Sequence, residues 1–523
     1  MTLQLSNGHA LTNTTASLAR CAMAGAQLLV QLQHLEKHLL TGVAPASALS
    51  HESFPVLIAV CRRVDDGSAQ SSNATMRSCH MLAKVGSERR TSAQRTSVLP
   101  AAAPETPHTV EETGIPMWLL VELTAKILLL CGHMKLTELS AHIKLTTNVL
   151  YAVIEFLRIE KLCEITRRGG SGTDADLNYN LTDLGRIRAA EFLKNSTYAG
   201  PAPVPLSAYC AQVEAQNLTQ IHILRTHVEH EFNDVVIDPD LLEHAGAAMN
   251  SQRAIFIHGP SGSGKTFLAE RLGRLLNDDI FVPHALLAGA EVVQIYDPMF
   301  HKSSVELSQA ATPFDKHAAH DPRWIRCGRP AVLAGAELTL DMLDLKFDPT
   351  KRYYQAPLHI KSNNGLFIID DLGRQRCSPL ELINRWNVPM ERQVDYLSLQ
   401  TGHKFPIPLH LKIVFASSVA PEQLGDSAFL RHLGSKIELG ALTESQYERI
   451  FCQVCAQYGT PYCSDAFQYL LHAHHYKKNR PLLACYPHDI LDQVCNLAHY
   501  EGRPSILDQR VLDWAWNNCF TES

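Results

Sequence analysis

Apolar residues along this chain change rhythm several times, and each rhythm predicts an element. Spacings of three and four predict helices over 16–40, 118–131 and 136–143. A further helix starts after Thr146-Thr147 and carries Val149, Val153, Phe156 and Leu157 on one face. Alternation in 163–168 and 177–182 predicts paired strands, with Gly169-Gly170-Ser171-Gly172 as the hairpin tip. The unbroken runs Ala254-Ile255-Phe256-Ile257 and Leu366-Phe367-Ile368-Ile369 predict strands buried on both faces. An amphipathic helix is expected over 267–276. Residues 64–112, rich in Ser, Ala, Thr and Arg and closing on several prolines, read as a flexible linker, and 200–205 as a stiff connector.

These elements divide the chain into a helical appendage (1–63), the linker (64–112), a domain of three helices and a hairpin (113–197), a connector with a lead-in helix (198–235), an α/β domain (236–437) and a helical lid (438–523). Strand and helix signals that alternate imply a mostly parallel sheet with helices on both faces.

Composition narrows the class. The chain has 523 residues, 46% of them hydrophobic, enough for more than one core. A net charge of −6 argues against global attraction to nucleic acid or to an acidic membrane. The longest apolar stretch, 117–131, is broken by Glu122 and Lys126, so no membrane insertion is expected. The N-terminus lacks a basic segment followed by an apolar run, and the 14 cysteines are scattered; both suggest a cytoplasmic protein with reduced thiols.

The chemistry sits between two of the predicted elements. Gly259-Pro260-Ser261-Gly262-Ser263-Gly264-Lys265-Thr266 joins the strand at 254–257 to the helix that Phe267 opens. This is the phosphate-loop pattern. Its glycines let backbone N–H groups turn inward, and the helix start adds positive potential. Lys265 supplies charge for the β- and γ-phosphates of ATP, and the Thr266 hydroxyl is placed to ligate Mg²⁺. A second apolar strand ends in Asp370-Asp371. Asp370 is expected to hold Mg²⁺ through its water shell, from the strand adjacent to the loop. Asp371 stands where a general base orients the attacking water.

From about 236 onward the chain resembles the AAA+ ATPases. The two motifs above carry the resemblance, together with Leu380 to Trp386, the turn Gly402 to Pro408, the strand Leu411 to Ser418, and Asp426-Ser427-Ala428-Phe429-Leu430-Arg431-His432. The segment 380–408 looks like that of MoxR-type and chelatase-type members. The resemblance implies a P-loop NTPase (AAA+) core with a parallel sheet and helical lid. It implies a sensor role for Ser418, which would contact the γ-phosphate or the water. It implies an arginine finger at Arg431 that works in trans, hence a ring of subunits, six being the expected number. Three departures stand out: Asp371 replaces the usual Glu, His432 a second Arg, and His488 the Arg of the lid helix in Tyr486-Pro487-His488. Together they imply slow turnover suited to a switch.

Residues 113–197 resemble an α+β winged-helix domain, and the whole is similar to a bacterial group of predicted chaperone-type ATPases with such a domain. Winged helices often bind DNA through the third helix, but here 146–157 has no Lys or Arg and contains Glu155, while Arg167 and Arg168 sit in the wing. Three functions stay open: a remodelling ATPase acting on a protein client, an ATP-regulated DNA-binding protein, and a nucleotide-gated scaffold. Between the two motifs, Tyr353 and Tyr354 read either as a pore loop or as part of an extra hairpin packed on the subunit, the second being preferred. Cys452 and Cys455 lie on a helical pattern and read as buried lid cysteines rather than zinc ligands.

Overall fold

The helical period that begins at Trp118 becomes three helices, followed by a small antiparallel sheet and a fourth helix. In chain order these are α1 (Met117–Cys131), β1 (Met134–Lys135), α2 (Leu136–Ile143), α3 (Thr147–Ile159), β2 (Cys163–Thr166), β3 (Asn178–Leu181) and α4 (Asp183–Asn195). The strand order is β1-β3-β2. β1 has two residues, too few for alternation to show. The computed structural model describes residues 103–166, 177–304, 320–424 and 427–520, all within one compact unit. The helix expected at 16–40, most of the linker, and the hairpin tip with Arg167 and Arg168 lie outside the described residues.

The expected connector is partly a strand, β4 (Val204–Pro205). It leads through α5 (Leu206–Ala215), α6 (Arg225–Glu231) and α7 (Pro239–Asn250) to β5 (Ala254–His258) and α8 (Lys265–Gly273). Then come β6 (Asp279–Pro283), β7 (Ala285–Ala288), β8 (Glu291–Gln294), β9 (Trp324–Gly328) and β10 (Ala331–Ala334). β11 (Lys346–Asp348), β12 (Tyr353–Gln355), β13 (Leu366–Ile369), α9 (Pro379–Arg392), β14 (Val394–Ser398), β15 (Lys404–Pro408) and β16 (Lys412–Ser417) follow. The α/β part closes with α10 (Ser427–His432) and β17 (Leu433–Glu438).

The central sheet has the order β10-β13-β16-β5-β17, every pairing parallel. The inner strands β13, β16 and β5 bury both faces, which is why their sequences are nearly unbroken apolar runs, while the edge strands β10 and β17 expose part of theirs. Phe256, Phe367, Phe415 and Trp386 fill one side. Ile255, Ile257, Ile368 and Val414 pack with Leu268 and Leu272 of α8 on the other. The core is therefore α/β, as expected. One expectation fails: β5 and β13 are not neighbours, because β16 lies between them. Two strand spacings amount to about 10 Å. The loop after β5 crosses that gap at the sheet edge, and α8 packs across β5, β16, β13 and β10.

A second sheet, β11-β12-β8-β7-β4, and the separate antiparallel pair β6–β9 were not anticipated. Residues 336–345 alternate apolar and polar side chains without forming a strand. They form a turn of 3₁₀ helix, Leu340–Leu343, that buries Leu338 and Leu343. The helical domain of residues 113–197, the N-terminal unit of the described residues, is fastened to this second sheet. Ala285, Leu287 and Val292 complete its core. Arg323 is buried and paired with Asp321 at 2.8 Å, and its Nη1 donates to the carbonyls of Thr113 and Pro203. The Asp321 N–H donates to the Pro104 carbonyl, and the Thr146 hydroxyl to that of Pro107. Residues 103–112, expected as linker, are therefore pinned.

The lid contains α11 (Glu444–Tyr458), α12 (Tyr486–Tyr500) and α13 (Gln509–Cys519), packed around Tyr447, Phe451, Phe467 and Trp516. Cys455 is buried in it, and no cluster of metal-binding side chains occurs among the described residues. No helix of the described residues is long and apolar enough to cross a membrane.

Replacing Arg323 by Ala leaves Asp321 buried without its partner, which costs about 3–5 kcal/mol. Urea unfolding should show that loss, and limited proteolysis should release the N-terminal unit first. A loss below about 1 kcal/mol would mean that the apolar seam alone holds the two parts together.

Candidate nucleotide site

The phosphate loop, the acidic pair and Ser418 all lie at the carboxyl edge of the central sheet. β5 ends at His258, and Gly259 follows with φ +148°. A Cβ there would stand 2.1 Å from the Leu439 carbonyl oxygen, so only glycine fits. Gly262 and Gly264 also take positive φ. Lys265 is buried at the start of α8, and its Nζ donates to the carbonyls of Gly259 (3.0 Å) and Pro260 (2.9 Å). Burial lowers its pKa, while Asp371 and Asp370 act in the opposite direction.

Two observations suit this loop to a polyphosphate. The Ser263 hydroxyl is buried with no hydrogen-bond partner. No side chain caps the first N–H groups of α8. A helix start with free donors, an orphaned hydroxyl and a buried ammonium together form an anion cradle.

The acidic strand meets this cradle despite the intervening β16. The Thr266 hydroxyl donates to Asp370 Oδ2 at 2.7 Å, and the Asp371 N–H donates to Asp370 Oδ1 at 3.0 Å. Hydroxyl plus carboxylate is a hard oxygen set that fits Mg²⁺. The turn beyond is braced on both sides. Gln375 donates to the Asp370 carbonyl (2.8 Å) and accepts from the Gly373 N–H (2.9 Å). The Leu372 N–H donates to the Ala416 carbonyl, and the Ser417 hydroxyl to that of Leu372. Asp371 itself sits at φ +51°, in the left-handed region. That conformation costs about 1–2 kcal/mol for most residues and is eased for a short polar side chain such as Asp.

The other expected residues divide between two places. Ser418 directly follows β16, whose Ser417 is in register with His258, so it stands at the same edge as the loop. Phe267 is exposed on the first turn of α8, and Pro260 and Ser261 are exposed in the loop. Arg431 is elsewhere. It precedes Leu433, which pairs with Ala254 at the start of β5, so it lies at the opposite edge, about 15 Å of strand from the loop. Its side chain is exposed, while Phe429 on the same helix is buried against Phe256 and Phe415.

The lid reaches the loop through Cys485, a residue that sequence reasoning missed. Its N–H donates to the Gly262 carbonyl at 3.1 Å, and burial pushes its thiol up to about 11. His488 is exposed, with its ring edge-on to Tyr458 within the lid. Nothing in residue type marked Cys485; its position just before the Tyr486-Pro487 helix start was the available signal. Gln375 and Ser417 were missed for the same reason, since they act through backbone groups. The pore-loop reading fails. Tyr354 is buried, its hydroxyl accepting from the Gln400 N–H, and Tyr353 packs edge-on against Tyr198 at 5.4 Å. The alternative, a hairpin packed on the subunit, is what β11 and β12 form.

A family model described as a domain of unknown function (DUF8689) matches residues 443–518, within the lid. No curated protein matches the chain. Among solved structures it is similar to NtrX from Brucella abortus in complex with ADP, at 12% identity and a TM-score of 0.33, over 65% of this chain and 62% of that one. It is also similar to a RuvB variant from Thermotoga maritima, at 11% identity and a TM-score of 0.30, over 57% of this chain and 71% of that one. The chain thus spans less than two thirds of the length of that NtrX structure.

A methyl group added at Gly262 would fall 2.4 Å from Cys485 Sγ but 3.5 Å from its Cβ. Gly262→Ala should therefore lower the melting temperature and weaken nucleotide binding. Adding Cys485→Ala should recover part of both, leaving about 1–2 kcal/mol of backbone strain. If the second substitution recovers nothing, the thiol is not what confines the loop.

Proposed function

We propose that this chain is a magnesium-dependent ATPase of AAA+ type that works as a ring and remodels a protein partner. The observation that carries the reading is the 2.7 Å hydrogen bond from Thr266 to Asp370, which joins the anion cradle to the acidic strand across an intervening strand. In this reading Lys265 leaves the loop carbonyls for the β- and γ-phosphates. Thr266 and Asp370 hold Mg²⁺, which when bound neutralises charge on the phosphate oxygens. Asp371 orients the attacking water and accepts its proton, and Ser418 contacts the γ-phosphate or that water.

Arg431 is too far along β5 to serve its own loop, which supports a role on a neighbouring subunit. The braced turn and the short Asp371 carboxylate support slow turnover. A protein client is favoured by the outer face of α3. It exposes Tyr151, Phe156 and Ile159, and its single Arg158 is paired with Glu155 at 2.5 Å. A DNA-contacting helix wants unpaired cations there.

Steady-state phosphate release tests the chemistry. Lys265→Ala should abolish it together with ATP binding. Asp371→Asn should retain binding and lose at least about 100-fold in rate. A chain that binds ATP yet releases phosphate no faster than the Lys265→Ala variant would be a nucleotide-gated scaffold and not an enzyme.

The ring is tested by mixing. Arg431→Ala and Asp371→Asn chains, each inactive alone, should regain about a quarter of the wild-type rate when combined, because one interface in four then pairs two intact halves. No recovery after subunit exchange would remove Arg431 from the site.

A further inference from the structure

A cavity of about 410 Å³ lies far from the phosphate loop in the fold, where the strap that follows α4 crosses the second sheet. Tyr198, Tyr296, Tyr353, His284, Gln294 and Lys351 are among its lining residues. Its size is that of a small-molecule site.

Hydrogen bonds hold its walls in place. Thr197 donates to the Lys351 carbonyl with both its N–H (2.9 Å) and its hydroxyl (2.7 Å). The Tyr198 hydroxyl donates to the Pro201 carbonyl at 2.6 Å, and the Ala202 N–H to that of Ile143 at 2.7 Å. His142 bonds the Ala199 carbonyl at 3.1 Å. Closing the space would break several of these, so it is preformed.

The lining pairs aromatic surface with unspent polar groups. Tyr198 and Tyr353 meet edge to face. Tyr296 is stacked with His301 at 5.8 Å and meets the His284 ring at 5.4 Å. Burial, aided by the nearby Lys144 charge, holds His284 neutral, with its pKa down to about 4. Among the described residues, neither the His284 ring nitrogens nor the Gln294 amide has a hydrogen-bond partner. The Lys351 ammonium is half exposed, 6.0 Å from the Tyr353 ring centre and 3.9 Å from Asp348.

Lys351, the one charged side chain of the lining, is held only loosely by Asp348, and a cation and an amide beside aromatic rings suit a planar organic anion. The lining offers neither an arginine fork nor a helix start, the usual devices for phosphate, so the charge it suits is a carboxylate. We propose that this cavity binds a small aromatic carboxylate, its ring among Tyr198, Tyr296 and Tyr353 and its oxygens on Lys351 and Gln294. The occupant bridges the strap and the second sheet. The inference does not depend on the nucleotide site.

The test uses the full chain and 4-hydroxybenzoate as probe, read by saturation-transfer NMR and titration calorimetry. Binding at millimolar probe is expected, weakened at least about tenfold by Lys351→Met and also by Gln294→Leu. Both variants should keep the wild-type melting temperature, and Lys265→Ala should leave binding unchanged. Phenol and cyclohexanecarboxylate, which lack the carboxylate and the aromatic ring respectively, should bind more weakly. Absence of transfer from 4-hydroxybenzoate, equal affinity for phenol, indifference to Lys351→Met, or competition by inorganic phosphate would each overturn the proposal.

Discussion

The candidate site depends on one short contact, the Thr266 hydroxyl against the Asp370 carboxylate. Both residues are set by the parallel sheet. In parallel strands all carboxyl ends share one edge, so whatever follows β5, β13 and β16 collects there. The loop must still bridge about two strand spacings, and it does so because Gly259, Gly262 and Gly264 bend it and α8 carries Thr266 across the sheet. A stiffer loop would strand the hydroxyl on the wrong side of β16.

The position of Asp371 gives a backbone reason for an unusual residue. Its left-handed φ follows from bracing on two sides, by Gln375 and by the β16 carbonyl of Ala416. Asp tolerates that region better than the longer Glu. The loss of one methylene, which looks from the sequence like a weakened base, is also an accommodation to a tight turn.

The central sheet was legible because strands buried on both faces leave unbroken apolar runs, as in Leu366-Phe367-Ile368-Ile369. The phosphate loop was legible because its chemistry demands glycines at fixed spacing. Strand order was not, since a run such as 254–257 says nothing about which strand lies beside it. The second sheet was hidden by its brevity. Val204-Pro205 and Ala285-Leu286-Leu287-Ala288 are too short to show a period, and proline masks the first. Tyr353-Tyr354 left two readings open, of which the preferred one holds, because exposed and buried tyrosines look alike in a sequence. Cys485 was invisible because its task falls to its N–H and its bulk, which any small residue carries in part.

The fastening of the N-terminal unit through Arg323 and the shared apolar seam bears on how movement would be transmitted. A module on a slack tether can hold a cargo but cannot push it. One welded to the body of the chain would act as a lever arm: a small rotation at the sheet edge would become a larger displacement at the outer face of α3.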